Sequence, residues 1–331
     1  MQNGKRNKTG ISLNRRWAVV AALAAATGTS AWAQAWPERP VRMVVGYAAG
    51  GGVDAMARLI AARMSPLLGQ QVVVDNRAGA AGLIAGDNVA RAEPDGYTLM
   101  LGDSSLLIAQ HLQPPMSFDP IKSFTPVASV FTLPLVIVTN NELPAKTPAE
   151  FVKMLKDNPG RYSYATSGVG TVHHLGFEMI KGKTGSYVVH IPYRGASLII
   201  SDVISGHVPI GVVSATSAIS QARAGKLRAL AVMNPVKLSG AEDIPPLSDA
   251  LPGFSAVPRL YVLAPAGTPA NIVQRLSDTL KTVMDAPDIA QVAAQQGAVP
   301  AYMSAGPLAA DVVRESAEWG KLIKEQKITA K

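Results

Sequence analysis

Short apolar runs and apolar stripes with a 3.6-residue period alternate along most of this chain, separated by loops of small residues. Val41 to Val45 is a continuous run rich in β-branched residues, the mark of a strand buried on both faces. It ends at Gly46-Tyr47-Ala48-Ala49-Gly50-Gly51-Gly52. Beyond that loop Asp54 can cap a helix whose apolar face is Met56, Leu59, Ile60, Met64 and Leu67. Val72 to Val74 predicts a second strand, Tyr97 to Leu101 a third after the turn Glu93-Pro94-Asp95-Gly96, and Thr125 to Val130 a fourth. Strands alternating with helices imply a mainly parallel sheet.

The pattern then restarts. Pro134 to Thr139 predicts a strand, and Thr147-Pro148-Ala149-Glu150 is a capping box with proline at the first helical position. Further strands are predicted at Tyr162 to Ala165, Val188 to Tyr193, Ile210 to Val213 and Leu227 to Val232, with helices between them. Residues 235–258 carry five prolines and little periodicity, so they read as a connection. After it come a strand at Tyr261 to Leu263 and a helix opened by Thr268-Pro269, with Ile272, Val273, Leu276, Leu280, Val283 and Met284 on one face. A last amphipathic helix spans about Leu308 to Lys327. The restart and the return predict two domains, one of them split: 34–133 plus 256–331, and 134–255 between them.

Composition fits that picture. The 331 residues are 48% apolar and 16% charged, and at roughly 150 residues per domain they suffice for two cores. The absence of cysteine excludes disulfides, thiolate zinc sites and cysteine nucleophiles. The net charge of +8 points to nucleic acid only until it is located. Lys5, Arg6, Lys8, Arg15 and Arg16 precede an apolar stretch, Trp17 to Ala26, and then Ala31-Trp32-Ala33, a small-x-small cleavage site. This is the layout of a secretory signal peptide over residues 1–33, cleaved near Ala33. The remainder is nearly neutral, without the clustered cations that nucleic acid needs, and it has no apolar run long enough to cross a bilayer.

Several enzyme motifs nearly appear and fail on spacing. Gly182-Lys183-Thr184 ends like a phosphate loop, but the required first glycine is Phe177. Gly102-Asp103-Ser104-Ser105-Leu106 lacks the closing glycine of a nucleophile elbow. His173 and His174 are adjacent and therefore diverge on a helix, and neither has a zinc-spaced partner. No catalytic set, cofactor motif or metal site emerges. What recurs is a small-residue loop after a strand and before a helix: Tyr47 to Asp54, Gly102 to Ser105, Thr166 to Thr171 and Tyr193 to Ser197. Such loops line one edge of an open sheet, where helix N-termini present unpaired N–H groups that favour anions.

The residues also match a family. Trp36-Pro37-Glu38-Arg39-Pro40, Gly50-Gly51-Gly52-Val53-Asp54 and Leu68 to Ala80 resemble the Bug-type solute-binding receptors of tripartite tricarboxylate transporters. So do Pro94-Asp95-Gly96-Tyr97-Thr98-Leu99, Tyr164 to Thr171, His190 to Gly195 and Leu263 to Pro269, in order along nearly the whole mature chain. The resemblance implies a type II periplasmic binding protein: two α/β domains with mainly parallel sheets and a ligand cleft between them. It implies a periplasmic monomer that captures a small carboxylate for transporter subunits or a sensor, without a cofactor, metal or nucleic acid. The alternative is a periplasmic hydrolase on the same fold, using Ser104 or Ser167.

Carried across by position, the backbone of Tyr47, Ala48, Ala49, Gly50, Gly51, Gly52 and Asp54 would hold one ligand carboxylate, with Ser104 and Ser105 beside it. Thr166, Ser167, Gly168, Gly170, Thr171 and His174 would face it from the second domain, and Tyr193, Arg194, Gly195 and Ser214 would complete that wall. Arg194 reads either as a ligand counter-ion or as a surface residue paired with a carboxylate. Gly46 and Ala49 stand where the family commonly has proline, and Pro209 and Ser214 where it often has aspartate.

Overall fold

Two sheets organise the chain. The first takes β1 (Val41–Val45), β2 (Val72–Asn76), β3 (Thr98–Asp103), β4 (Phe124–Thr132), β10 (Arg259–Pro265) and β11 (Val299–Ser304), in the order β11-β4-β10-β3-β1-β2. The second takes β5 (Leu135–Thr139), β6 (Ser163–Thr166), β7 (Val189–Pro192), β8 (Ile210–Ser214) and β9 (Arg228–Val232), in the order β7-β6-β8-β5-β9. The helices are α1 (Gly52–Leu68), α2 (Leu83–Ala90), α3 (Ser105–Leu112), α4 (Pro148–Asp157), α5 (Val172–Thr184), α6 (Ala196–Ile204), α7 (Ala215–Arg223), α8 (Ala270–Met284), α9 (Ile289–Gln295) and α10 (Ala305–Glu325). This computed structural model describes residues 36–112 and 115–329, with Met1 and Gly4, so the leader read at 1–33 lies outside the described residues but for those two. The chain divides into two units, Met1–Glu38 and Arg39–Lys331, and every element above belongs to the second. None of the described helices is long and apolar enough to cross a membrane.

The expected mainly parallel order needs correction, because both sheets are mixed. In the first, β1 pairs with β2 and β3 in parallel, whereas β10 runs antiparallel to both β3 and β4, and β11 antiparallel to β4. In the second, β6 is parallel to β7 and β8, whereas β5 runs antiparallel to β8 and β9. The cause is the double crossing. The chain leaves β4 and enters β5 within two residues, and returns from the second sheet into β10. A strand that receives the chain from the other sheet starts at the edge where its neighbours end, so it must run against them.

Local chemistry sets the elements. Thr147 Oγ1 accepts the Glu150 amide at 3.2 Å and Glu150 Oε2 accepts the Lys146 amide at 2.7 Å, closing the cap of α4, a contribution of about 1 kcal/mol. In α1 the buried stripe is Ile60, Met64 and Leu68, each four residues on, and Leu67 is exposed instead. The second sheet is covered on one face by Phe151 and Phe177, with Phe177 stacked on Tyr164 at 3.8 Å, and on the other by Ile199, Ala218 and Ile219. Burying such a side chain contributes about 1.5–3 kcal/mol. β11 was not legible in sequence. Pro300 interrupts it, and it survives because it is paired on one side only and the register shifts between Pro300 and Met303.

Candidate ligand-binding cleft

The first sheet ends β1 and β3, and the second ends β6, β7 and β8, at a common seam where α1, α3, α5, α6 and α7 begin. Between the walls lies a cavity of about 20 Å³, room for about one water. Tyr47, Gly51, Gly52 and Asp103 line it from one side, and Ser167, His173, Ala196 and Ser214 from the other. Leu133, Leu135 and Pro258, from the two crossing segments, form its floor. The walls are in contact. A methyl group on Gly52 would stand 2.2 Å from Ser214 Oγ, and one on Gly195 2.9 Å from Ala48 Cβ. Glycine is required at both positions by this approach rather than by backbone angles.

In the first wall, Tyr47 Oη donates to Asp103, 3.1 and 3.0 Å from its two oxygens, and lies 3.2 Å from Ser105 Oγ. The Ser105 amide donates to Asp103 Oδ1 at 3.0 Å, and Ser105 Oγ accepts the Val172 amide from across the seam at 3.4 Å. Burial pushes Asp103 up to about 6, against the lowering hydrogen bonds from Tyr47 and Ser105. Burial, reinforced by Asp103, pushes Tyr47 well above its ordinary range, so it stays a neutral donor. Asp54 serves its own loop. It accepts the Gly50 amide at 2.9 Å, Arg58 Nε at 3.0 Å and Asn76 Nδ2 at 3.0 Å. Burial pushes its carboxyl up, but these donors together outweigh it and hold it below the usual range. The helix cap is Gly51, with Asp54 one turn inside. Ala48 is half-buried, and Ala49 and Gly50 are exposed at the rim. Ser104 Oγ accepts the Arg259 amide at 3.1 Å, tying β10 to the start of α3 rather than meeting a catalytic base.

In the second wall, Thr171 caps α5 by accepting the His174 amide at 3.2 Å and donates to the Gly168 carbonyl at 2.8 Å. Gly168 (φ 122°) and Gly170 (φ 85°) occupy the left-handed region that lets this loop fold back. Thr166 Oγ1 sits 2.7 Å from His190 Nε2 and receives the Gly168 amide at 3.3 Å. Ser167 and Ser214 line the cleft, Ser214 Oγ 3.2 Å from Ser217 Oγ. His174 turns away. Its Nδ1 accepts the Gly170 amide at 3.4 Å, its ring stacks on His190 at 4.4 Å, and it borders an outer hollow of about 760 Å³ along β7. That hollow is larger than the cleft and is lined by α5, β7 and residues 326–329, without the glycine loop of β1 or the end of β3.

The neighbouring His173 is the histidine in the cleft: 6% exposed, with Nδ1 buried and without a hydrogen-bond partner among the described residues. Burial holds both rings down to about 4, so each is neutral at neutral pH. Tyr193 donates to Asp202 Oδ2 of α6 at 2.5 Å, and Arg194 is exposed without a described partner.

The loops therefore stand where the sequence reading put them, and Tyr47, Gly51, Gly52, Ser167 and Ser214 meet at the cavity. Asp54, Ser104, Thr166, Thr171, His174 and Tyr193 hold the loops in shape. The reading missed Asp103 and His173. The acid stood inside the loop Gly102 to Ser105, and the histidine one helical position before the one chosen. Five helix N-termini meet at one seam, and their unpaired backbone N–H groups favour an anion. Among the described residues no group of three histidine or acidic side chains could hold a metal ion.

Comparison with known proteins identifies the family. The family described as tripartite tricarboxylate transporter family receptor matches residues 56–328. A protein of Pseudomonas sp., a UPF0065 protein in the tcbD-tcbE intergenic region, is 35% identical over 324 residues, covering 96% of each chain. The structure of the periplasmic binding protein BugD is 31% identical with a TM-score of 0.85, covering 89% of this chain and 99% of that one. The structure of R. palustris Rpa4515 with adipate is 31% identical with a TM-score of 0.86, at the same coverage.

Proposed function

The chain belongs to the tripartite tricarboxylate transporter receptor family, and on that premise we propose that it is an exported, periplasmic monomer that captures a small organic carboxylate by closing two lobes over it. The lobes are 34–133 plus 256–331 and 134–255, and the loaded form delivers its ligand to membrane transporter subunits or a sensor. One observation carries the reading: backbone-donor loops from two sheets face each other across a single seam, and the cavity between them is walled by Tyr47 and Gly52 on one side and Ser167 and Ser214 on the other. A ligand bridging both gains its full set of bonds only when the walls meet, so its differential affinity drives closure. The solved relative with adipate supports a carboxylate as the ligand class.

The test is a thermal-shift screen of the mature chain against small carboxylates, followed by calorimetry on the hits. The reading expects at least one carboxylate to raise the melting temperature and bind one to one. Stabilisation only by cationic or neutral solutes would contradict it. Mass spectrometry of the periplasmic fraction should find a chain starting near Gln34.

A further inference from the structure

An acid is the wrong residue for a site that only attracts anions. Asp103 is 3% exposed, lines the cleft, and receives Tyr47 Oη and the Ser105 amide. A carboxylate offers about four acceptor positions, so these donors leave capacity on Oδ2. No cation compensates it among the described residues. From β10, Tyr261 Oη donates to the Asp103 backbone carbonyl at 2.6 Å, and the Arg259 guanidinium is taken by Asp311. From α10, Glu315 adds negative charge. From α5, His173 lines the same cavity with an unpartnered buried Nδ1 but is kept neutral by burial. A buried carboxylate without a counter-charge and an idle ring nitrogen share one small cavity, and both lack a partner that a ligand can supply.

We infer that Asp103 is a specificity-determining residue: it selects carboxylates that also carry a hydrogen-bond donor, an ammonium or a hydroxyl, and rejects the plain dicarboxylate of the same length. This rests on the carboxylate-binding reading and narrows it. The donor-bearing end meets Asp103 in the first wall, and His173 offers a second polar contact from the other side. A plain carboxylate at that position sets two negative charges together inside a desolvated cavity. Charge-assisted hydrogen bonds translate into tenfold to hundredfold changes in affinity.

Calorimetry at pH 7.5 on the mature chain tests it with matched sets: succinate, malate and aspartate; glutarate and glutamate; adipate and 2-aminoadipate. In each set that binds, the donor-bearing member should bind at least tenfold tighter than the plain one, and whether malate or aspartate leads separates hydroxyl from ammonium. Asp103→Asn keeps the shape and removes the charge, and should bring the succinate-to-aspartate ratio to within about threefold. Should that variant fail to fold, the matched sets on the parent chain at pH 7.5 decide alone. Plain members binding as tightly as their partners would overturn the inference and leave the carboxylate reading standing. An unchanged ratio in folded Asp103→Asn would do the same. Binding by no member of any set would overturn both.

Discussion

The two walls of the cleft use the same strand, loop and helix device and differ in charge. The first sets Tyr47, Asp103 and Ser105 behind a glycine loop, with a carboxylate in the wall itself. The second sets Ser167 on the loop after β6 and Ser214 and the neutral His173 at helix N-termini, with no ionised side chain in contact with the cavity among the described residues. Helix ends give both walls the same attraction for anions. The acid makes the site polar along its length: a ligand with one anionic and one donor end fits in a single direction, whereas a symmetric dianion meets an opposing charge at the first wall.

The sharpest way to break the comparison is to hold the walls apart. In Gly52→Val the new side chain would meet Ser214 Oγ and Cβ, at 2.2 and 2.8 Å from its first carbon, so closure fails and calorimetry should show at least a hundredfold loss of carboxylate affinity. Gly51→Ala is the control. Its methyl group finds only ordinary contacts, 3.5 Å to the Ala48 carbonyl and 3.9 Å to Ala196 Cβ, so affinity should fall less than threefold.

Next in size is the donor that Asp103 depends on. Tyr47→Phe leaves a buried acceptor short of its partner at a cost of about 1–3 kcal/mol, readable in chemical denaturation, and should raise the Asp103 pKa further.

Acidity separates the walls by sign. Asp103, raised to about 6, binds its proton more tightly folded than unfolded, so stability from this group grows as pH falls from about 6 towards 4, by on the order of 2–3 kcal/mol. His173 and His174, lowered to about 4, and His190, lowered to about 3, act oppositely. Below about 6.5 the unfolded chain takes up protons that these buried rings refuse. Melting temperature should therefore fall from pH 7 to pH 5, and fall more steeply in Asp103→Asn, which loses the opposing gain. The smallest effect is that of Arg194→Ala. Its exposed guanidinium has no described partner, so affinity should change less than threefold and the loss should vanish at high salt.

Much of this was legible in the residues. The continuous run Val41–Val45, the cap Thr147 to Glu150 and the stripe along α8 each satisfy a local rule, and each element stands where its rule puts it. The glycine loops were legible as loops because their spacing after strands is a backbone property. Strand direction was not, because whether β5 and β10 run with or against their neighbours depends on which sheet the chain has just left. Nor was the direction of a side chain at a helix start. His173 and His174 differ by one step of about 100°, which decides cleft against outer hollow, and tertiary contacts such as the packing of His174 on His190 and of Phe177 on Tyr164 fix that rotation. Asp103 was not singled out because its donors Tyr47 and Ser105 gather around it only in the fold.

Closure around the ligand is the claim on which the rest depends, and the absence of native cysteine makes it directly measurable. Spin labels on Gln274→Cys in α8 and Lys226→Cys beyond α7, both exposed and outside the cavity lining, report the separation of the two proposed lobes by pulsed dipolar spectroscopy. With a saturating carboxylate identified by calorimetry, the account predicts a single narrow distance distribution, shorter than the broad one of the ligand-free chain. Identical distributions with and without a ligand shown to be bound would contradict it.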